Sequence, residues 1–311
     1  MEIYFAPIQG FTDYVYRNAH AKYFSGIDKY FTPFLRIEKS EIRRKDVSDL
    51  LSSSKFDNPT IELVPQIIGN SREDIKILLK FLKNQGFTSC DLNFGCPFPQ
   101  QAKKFRGSGI WEKPEMILEV FDTLRLFPEI KFSLKMRIGY SDVSQTLEMV
   151  EVINSFPFRF VTIHPRLGKQ MYKGDVDILT FTKLSSEISH PIVYNGDIVT
   201  TDDIKKIENN FPNLKAVMIG RGLLGNPFLA ENYKSQNHDI DIIRLTNFHS
   251  EVLNGYLQEY NNSEFMVLDK MRTFWTYAPQ SVDKKVLKNI QKSRSLSEYQ
   301  AFANIAMSKK D

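Results

Sequence analysis

The stretch "SCDLNFGCPFPQ", Ser89 to Gln100, opens as a strand and ends as a turn. Cys90, Leu92 and Phe94 alternate with polar neighbours, the period of two that suits a strand. Gly95, Pro97 and Pro99 then stop it. The chemistry at the stop is unusual: an Asn, a Gly and one of only two thiols in 311 residues.

Seven further apolar runs bounded by turn residues read as strands. They are "IYFAPI" (3–8), "KYFTPFLR" (29–36), "IELVPQI" (61–67), "KFSLKMRIG" (131–139), "FRFVTIHPR" (158–166), "PIVYNGD" (191–197) and "KAVMIGRG" (215–222). Helix-like patterns fill several gaps. "SREDIKILLKFLKNQG" begins with a Ser cap and acids and stops at Gly86. "KPEMILEVFDTLRLFP" carries Pro114 near its first turn, and "TTDDIKKIENNFP" begins with Thr and Asp. Strands alternating with helices specify a parallel sheet. Eight of them predict an α/β fold, a (β/α)8 TIM barrel over residues 1–232.

Gln66, Asn93, Cys96, Lys135, Arg137, His164, Arg166, Asn195 and Arg221 all fall near the C-terminal ends of these runs. That is the face on which barrel enzymes build their sites. Each has a structural alternative: Asn93 or Asn195 as a turn cap, His164 as a core histidine, Lys135 or Arg137 in an ion pair. Taken together they predict a site.

After Asn232 the pattern becomes helical. "DIIRLTNFHSEVLNGYLQEY", "EFMVLDKMRTFWTYAP", "SVDKKVLKNIQKS" and "LSEYQAFANIAMSKK" read as amphipathic helices, a predicted C-terminal domain over 240–311. The chain's net charge is only +4, but Lys270–Asp311 carries nine Lys and Arg against three acids. Clustered cations suit a polyanion, with a solvated helical surface as the alternative. "RIEKSEIRRK" (36–45) adds cations in the loop after the second strand.

A composition of 42% hydrophobic and 25% charged residues fits a globular chain with a sizeable core. No secretory leader or membrane-length apolar run is present, so a cytoplasmic protein without a membrane partner is expected. Cys90 and Cys96 form neither a disulfide framework nor a zinc signature, and no metal is expected.

The stretches "YNGDI" (194–198) and "VMIGRGLLGNPFL" (217–229) bring Gly196, Gly220, Arg221 and Gly222 to the ends of strands seven and eight. Barrels commonly bind phosphate there. Neither G-x-G-x-x-G nor a P-loop occurs, so a cofactor with one phosphate fits better than a dinucleotide. A cation such as Lys135 would then stabilise negative charge on a reduced flavin ring.

At this point the chain resembles the dihydrouridine synthases, flavin-dependent enzymes that reduce uridine in tRNA. The resemblance rests on "APIQGFTD", "PQIIGN", "DLNFGCP…GSG", "LKMRIGY", "IHPRLGKQMYKG", "PIVYNGDI" and "VMIGRGLLGNPFL", and extends to "KMRTFWTYAP" in the tail. It implies an FMN-binding barrel followed by a helical tRNA-binding domain. The implied flavin contacts are Pro7, Ile8, Gln9, Gln66, Lys135 and His164. On the phosphate side they are Asn195, Gly196, Asp197, Gly220 and Arg221. Cys96 is the implied proton donor. Asn93, Arg137, Arg166 and Arg272 are candidates for substrate binding, and Trp275 and Tyr277 for stacking, with a core role as the alternative for Trp275. The histidine loop reads His-Pro-Arg-Leu-Gly where many members have His-Gly-Arg-Thr, and Ile8-Gln9 replaces the frequent Met-Glu or Met-Ala.

The resemblance explains the thiol. Reducing the uracil 5,6 double bond needs a hydride at carbon 6, from reduced FMN, and a proton at carbon 5. An ordinary thiol, with a pKa of about 8.5, is still protonated at neutral pH. NADPH or NADH is the expected reductant, and a monomer the expected state. Removing residues 240–311 is expected to weaken tRNA binding and spare flavin. The rivals are a dihydroorotate-dehydrogenase-like enzyme acting on a small pyrimidine, and a non-catalytic tRNA-binding protein. The sequence leaves open which uridine is reduced.

Overall fold

The computed structural model describes residues 1–52, 61–236, 240–277 and 282–308. Eight parallel strands form the barrel: β1 (Glu2–Phe5), β2 (Lys29–Phe31), β3 (Glu62–Val64, resumed as Gln66–Ile67), β4 (Ser89–Phe94), β5 (Lys131–Arg137), β6 (Val161–His164), β7 (Ile192–Tyr194) and β8 (Ala216–Ile219). The predicted runs hold, but most strands stop short of their polar ends, which lie in the following loops.

Closure depends on Pro65. The two halves of β3 are the two ends of the sheet order, one paired with β2 and the other with β4. Proline has no N–H and interrupts the ladder. Its carbonyl still accepts the Asp91 N–H at 2.9 Å, and Leu35 N–H reaches the Gln66 carbonyl at 2.8 Å. The ring of strands is thereby complete.

Alternation along the strands sorts side chains into two layers. Tyr4, Phe31, Val64, Phe160, Val193, Ala216 and Met218 fill the barrel interior. Their neighbours Ile3, Phe5, Tyr30, Ile192, Tyr194, Val217 and Ile219 join the larger core beneath the helices. With both faces covered, the strands read as nearly continuous apolar runs.

The outer helices include α1 (Tyr14–Tyr23), α2 (Arg72–Asn84), α3 (Pro114–Leu124), α4 (Ile178–Glu187) and α5 (Thr201–Asn210). Ser71 caps α2 through the Asp74 N–H, Thr200 caps α5 through the Asp203 N–H, and Pro114 opens α3. The cation-rich loop after β2 forms a hairpin, Ile37–Glu38 against Glu41–Ile42.

The tail comprises α6 (Ile242–Glu259), α7 (Glu264–Phe274), α8 (Lys284–Lys292) and α9 (Leu296–Met307). It packs on α1: Phe248 meets Tyr16 edge-on at 5.4 Å, and Lys22 pairs with Glu251 at 2.8 Å. Trp275 is buried, its indole N–H donating to the Tyr299 hydroxyl at 2.8 Å, and that hydroxyl meets His249 Nε2 at 2.6 Å. This is the core alternative for Trp275. Among the described residues no helix is long and apolar enough to cross a membrane.

Candidate active site

The turn after β4 is clasped from two sides. Asn93 Oδ1 accepts the backbone N–H groups of Gly95 at 3.1 Å and Cys96 at 2.7 Å. From the other side, the Cys96 carbonyl accepts the Ser108 N–H at 2.9 Å and its hydroxyl at 3.0 Å. Gly107 brings that loop in: its φ is +59°, and a Cβ there would lie 2.6 Å from the Cys96 carbonyl oxygen. The result is a thiol 8% exposed on a cavity wall. Burial pushes its pKa up, against weaker opposing effects from the Phe98 backbone and from Arg137 and Lys135. The sulfur keeps its proton.

Beneath the turn lies a polar layer set by strand register, in which Gln66, Asp91 and Ser133 are neighbours across β3, β4 and β5. Asp91 is fully buried and accepts from Ser133 Oγ at 2.5 Å and Gln66 Nε2 at 2.7 Å. Gln66 Oε1 accepts from Asn93 Nδ2 at 2.7 Å. The turn-cap alternative for Asn93 is therefore realised.

Lys135 donates to Asn195 Oδ1 at 2.7 Å, and Asn195 Nδ2 donates to the Met218 carbonyl at 2.7 Å. Burial, then repulsion from Arg137, lowers the Lys135 pKa to about 8, partly offset by Asp91 and Cys96. The ammonium is charged at neutral pH. Arg137 donates to the Leu167 carbonyl at 2.8 Å and lies over the Tyr172 ring, 5.4 Å from its centroid. Arg221 lies over the same ring at 4.8 Å.

His164 accepts from Arg166 at 3.3 Å, and burial together with four surrounding cations holds its pKa well below the ordinary range. It is a neutral acceptor. Arg166 stands behind the lining residues His164 and Asp197 and does not itself line the cavity. It grips the Asp197 carboxylate with two nitrogens and donates to the Gly174 carbonyl at 2.7 Å. Asp197 also takes Arg221, at 2.9 Å. Burial pushes the Asp197 pKa up, but the two arginines outweigh it and the carboxyl stays ionised.

These groups surround one cavity of about 1480 Å³ at the C-terminal mouth of the barrel. Pro7, Ile8, Gln9, Gln66, Asn93, Cys96, Lys135, Arg137, His164, Asn195, Gly196, Asp197, Gly220 and Arg221 all line it. Arg166 and Arg272 do not. Arg272 donates to the Ser293 carbonyl inside the tail. Sequence reasoning passed over Tyr172, although it stands in the quoted "IHPRLGKQMYKG". It also missed the tail's share of the wall: Phe248, Phe274, Trp275 and Tyr277 line the cavity, and Tyr277 meets Phe11 at 5.2 Å. Lys270 donates to the Gly10 carbonyl at 3.0 Å and to Asp13 at 2.7 Å, tying α7 to the loop after β1. Among the described residues no group of His, Cys, Asp and Glu has the geometry to hold a metal ion.

A model of the family described as dihydrouridine synthase matches residues 4–302. A Staphylococcus epidermidis protein named "Probable tRNA-dihydrouridine synthase" is 26% identical over 275 residues, covering 87% of this chain and 82% of the relative. The tRNA-dihydrouridine(16) synthase of Neisseria meningitidis serogroup B is 29% identical over 238 residues, 75% of this chain and 71% of its own. Among solved structures, morphinone reductase superposes with a TM-score of 0.53 at 10% identity, over 77% of this chain and 87% of that one. At that identity the likeness concerns the fold.

Proposed function

This chain belongs to the dihydrouridine synthase family, and from that premise we propose that it reduces uridine in tRNA to dihydrouridine with bound flavin mononucleotide and a nicotinamide reductant, NADPH or NADH. One observation carries the reading: a protonated thiol, Cys96, and a partly buried ammonium, Lys135, face the same cavity at the barrel mouth.

The residues present fit the flavin. Gln9 lines the cavity with its Oε1 buried and, among the described residues, without a partner, so a ligand N–H there would satisfy it. At Gly220 a Cβ would come within 3.0 Å of Ile8 Cδ1, closing the space between the loops after β1 and β8. Pro7, Ile8, Gln9, Gln66, Lys135 and His164 would hold the ring end. Asn195, Gly196, Gly220 and Arg221 would hold the phosphate end, with Asp197 contributing its backbone N–H and not its ionised carboxylate. When bound, the flavin supplies the hydride that the uracil ring receives at carbon 6. Cys96 holds the proton for carbon 5, Lys135 offsets negative charge on the ring side, and the apolar tail residues exclude water. A uridine must leave its stack to enter such a cavity, and we assign the exposed cations of α8 to the tRNA backbone in the cytoplasm. Residues 240–311 are the proposed tRNA-binding part and 1–232 the catalytic part, working as a monomer.

The test is dihydrouridine measured by mass spectrometry in unmodified tRNA incubated with the purified protein, FMN and NADPH. We expect a yellow protein and a gain of two mass units at defined uridines. A colourless protein that still binds tRNA would overturn the reading in favour of a non-catalytic binder. Efficient reduction of free uracil derivatives but not tRNA would overturn it in favour of a small-pyrimidine reductase.

A further inference from the structure

Asp91 lies off the cavity wall, fully buried beneath it. Its bonds are informative because each partner's orientation depends on the one before. A carboxylate only accepts. Gln66 must therefore turn its NH2 end toward Asp91, which leaves Oε1 facing Asn93. Asn93 must then answer with its own NH2, which leaves Oδ1 for the N–H groups of Gly95 and Cys96. The order of the two amides is fixed from both ends, by a carboxylate that only accepts and by the backbone N–H groups of Gly95 and Cys96 that only donate. Ser133 holds the far oxygen of Asp91.

We propose that Asp91 is a positioning residue for Cys96, acting through the Gln66 and Asn93 amides to fix the turn that aims the thiol. The role rests on the reading above of Cys96 as proton donor, but its geometric part can be measured without turnover. Gln66 is left with one N–H and one lone pair, and the same carboxylate decides which of them faces the cavity. A neutral group at position 91 would remove one of these two constraints, and the acceptor of the Cys96 N–H would be held less firmly. Protonation would have the same effect, because a carboxylic O–H could donate to Gln66 Oε1. Burial brings the Asp91 pKa to about 6, opposed by Ser133, Gln66 and the more distant charge of Lys135. The groups facing it are Gln66 from β3, Ser133 and Lys135 from β5, and Cys90 on its own strand.

The experiment uses Asp91→Asn, which keeps the shape and removes the charge, and reads iodoacetamide alkylation of Cys96 against Cys90 by mass spectrometry from pH 5 to 8. In the wild type we expect the ratio to rise as pH falls through about 6. In Asp91→Asn we expect it at least threefold higher at neutral pH and without that limb. The double variant Asp91→Asn with Gln66→Glu moves the carboxylate one link nearer the thiol, where it would accept from the new amide at position 91 and from Asn93 Nδ2. It should restore the wild-type ratio, which a role in packing alone would not require. A folded Asp91→Asn protein with an unchanged ratio, or a double variant that fails to restore it, would overturn the proposal. Should Asp91→Asn not fold, a wild-type ratio that stays flat across pH 6 would do the same. A wild-type protein that forms no dihydrouridine, while these ratios behave as expected, would count against the proton-donor reading and leave the positioning geometry standing.

Discussion

The thiol turn and the helical tail are both rich in polar side chains, and they use them in opposite ways. At the turn, position along the chain foretells position in space. Polar residues at the C-terminal ends of parallel barrel strands gather at the mouth, and those on or following seven of the eight strands line one cavity. In the tail, charge foretells much less. A helix presents a side chain to any direction, and tertiary packing chooses. Lys284, Lys285, Lys288, Lys292 and Arg294 face solvent, whereas Lys270 and Arg272 turn inward to bond carbonyls. Cations counted together in sequence thus divide into a surface set and a structural set.

The sharpest way to break this contrast is to exchange the two cysteines for alanine. Both thiols are buried and both have raised pKa values, but only Cys96 faces the cavity. Cys96→Ala should lower single-turnover reduction of tRNA at least about 100-fold, roughly 3 kcal/mol of barrel-mouth chemistry, while flavin still binds. Cys90→Ala should stay within about twofold.

Next in size is an effect of acid on the tail. Burial lowers the His249 pKa to about 4, so the folded state keeps the ring neutral where the unfolded chain takes a proton. Its stability contribution is whole above the unfolded pKa of about 6.5 and is lost as pH falls toward 4. By pH 5 the loss should reach about 2 kcal/mol. Urea midpoints measured from pH 7 to 5 should therefore fall less steeply for His249→Gln than for the wild type. Parallel curves would contradict the assignment.

A smaller effect, about 1.5 kcal/mol, should follow Lys270→Ala, which strips the charged partner from Asp13 and the donor from the Gly10 carbonyl. If the tail steadies the loop after β1, this variant should also weaken FMN binding by fluorescence titration. Removal of residues 240–311 should do so more strongly, contrary to the expectation that truncation spares flavin. The tail supplies Phe274, Trp275 and Tyr277 to the cavity wall.

The finest distinction lies within the tail. Lys288→Ala should leave stability within about 0.5 kcal/mol and lower the salt dependence of tRNA binding by about one phosphate contact. Arg272→Ala should do the reverse, costing about 1 kcal/mol with the salt slope unchanged. Equal slopes for both variants would erase the division between surface and structural cations.

Read alone, the sequence determined the barrel, the helical tail and most of the polar residues that line the cavity. Period-two apolar runs separated by helical patterns leave one economical closure, and the strand ends then place Cys96, Lys135, His164 and Asn195 together. It could not tell a cavity-facing polar group from one that steadies it. Asn93, a candidate for substrate, caps the thiol turn; Arg166 holds Asp197; Arg272 and Trp275 knit the tail. The cap of Asn93 is local and was open to the sequence as an alternative, but for Arg166, Arg272 and Trp275 the tertiary structure made the choice, because their partners Asp197, Ser293 and Tyr299 lie more than 20 residues away. A buried polar group takes its function from whichever distant donor or acceptor the fold brings within 3 Å.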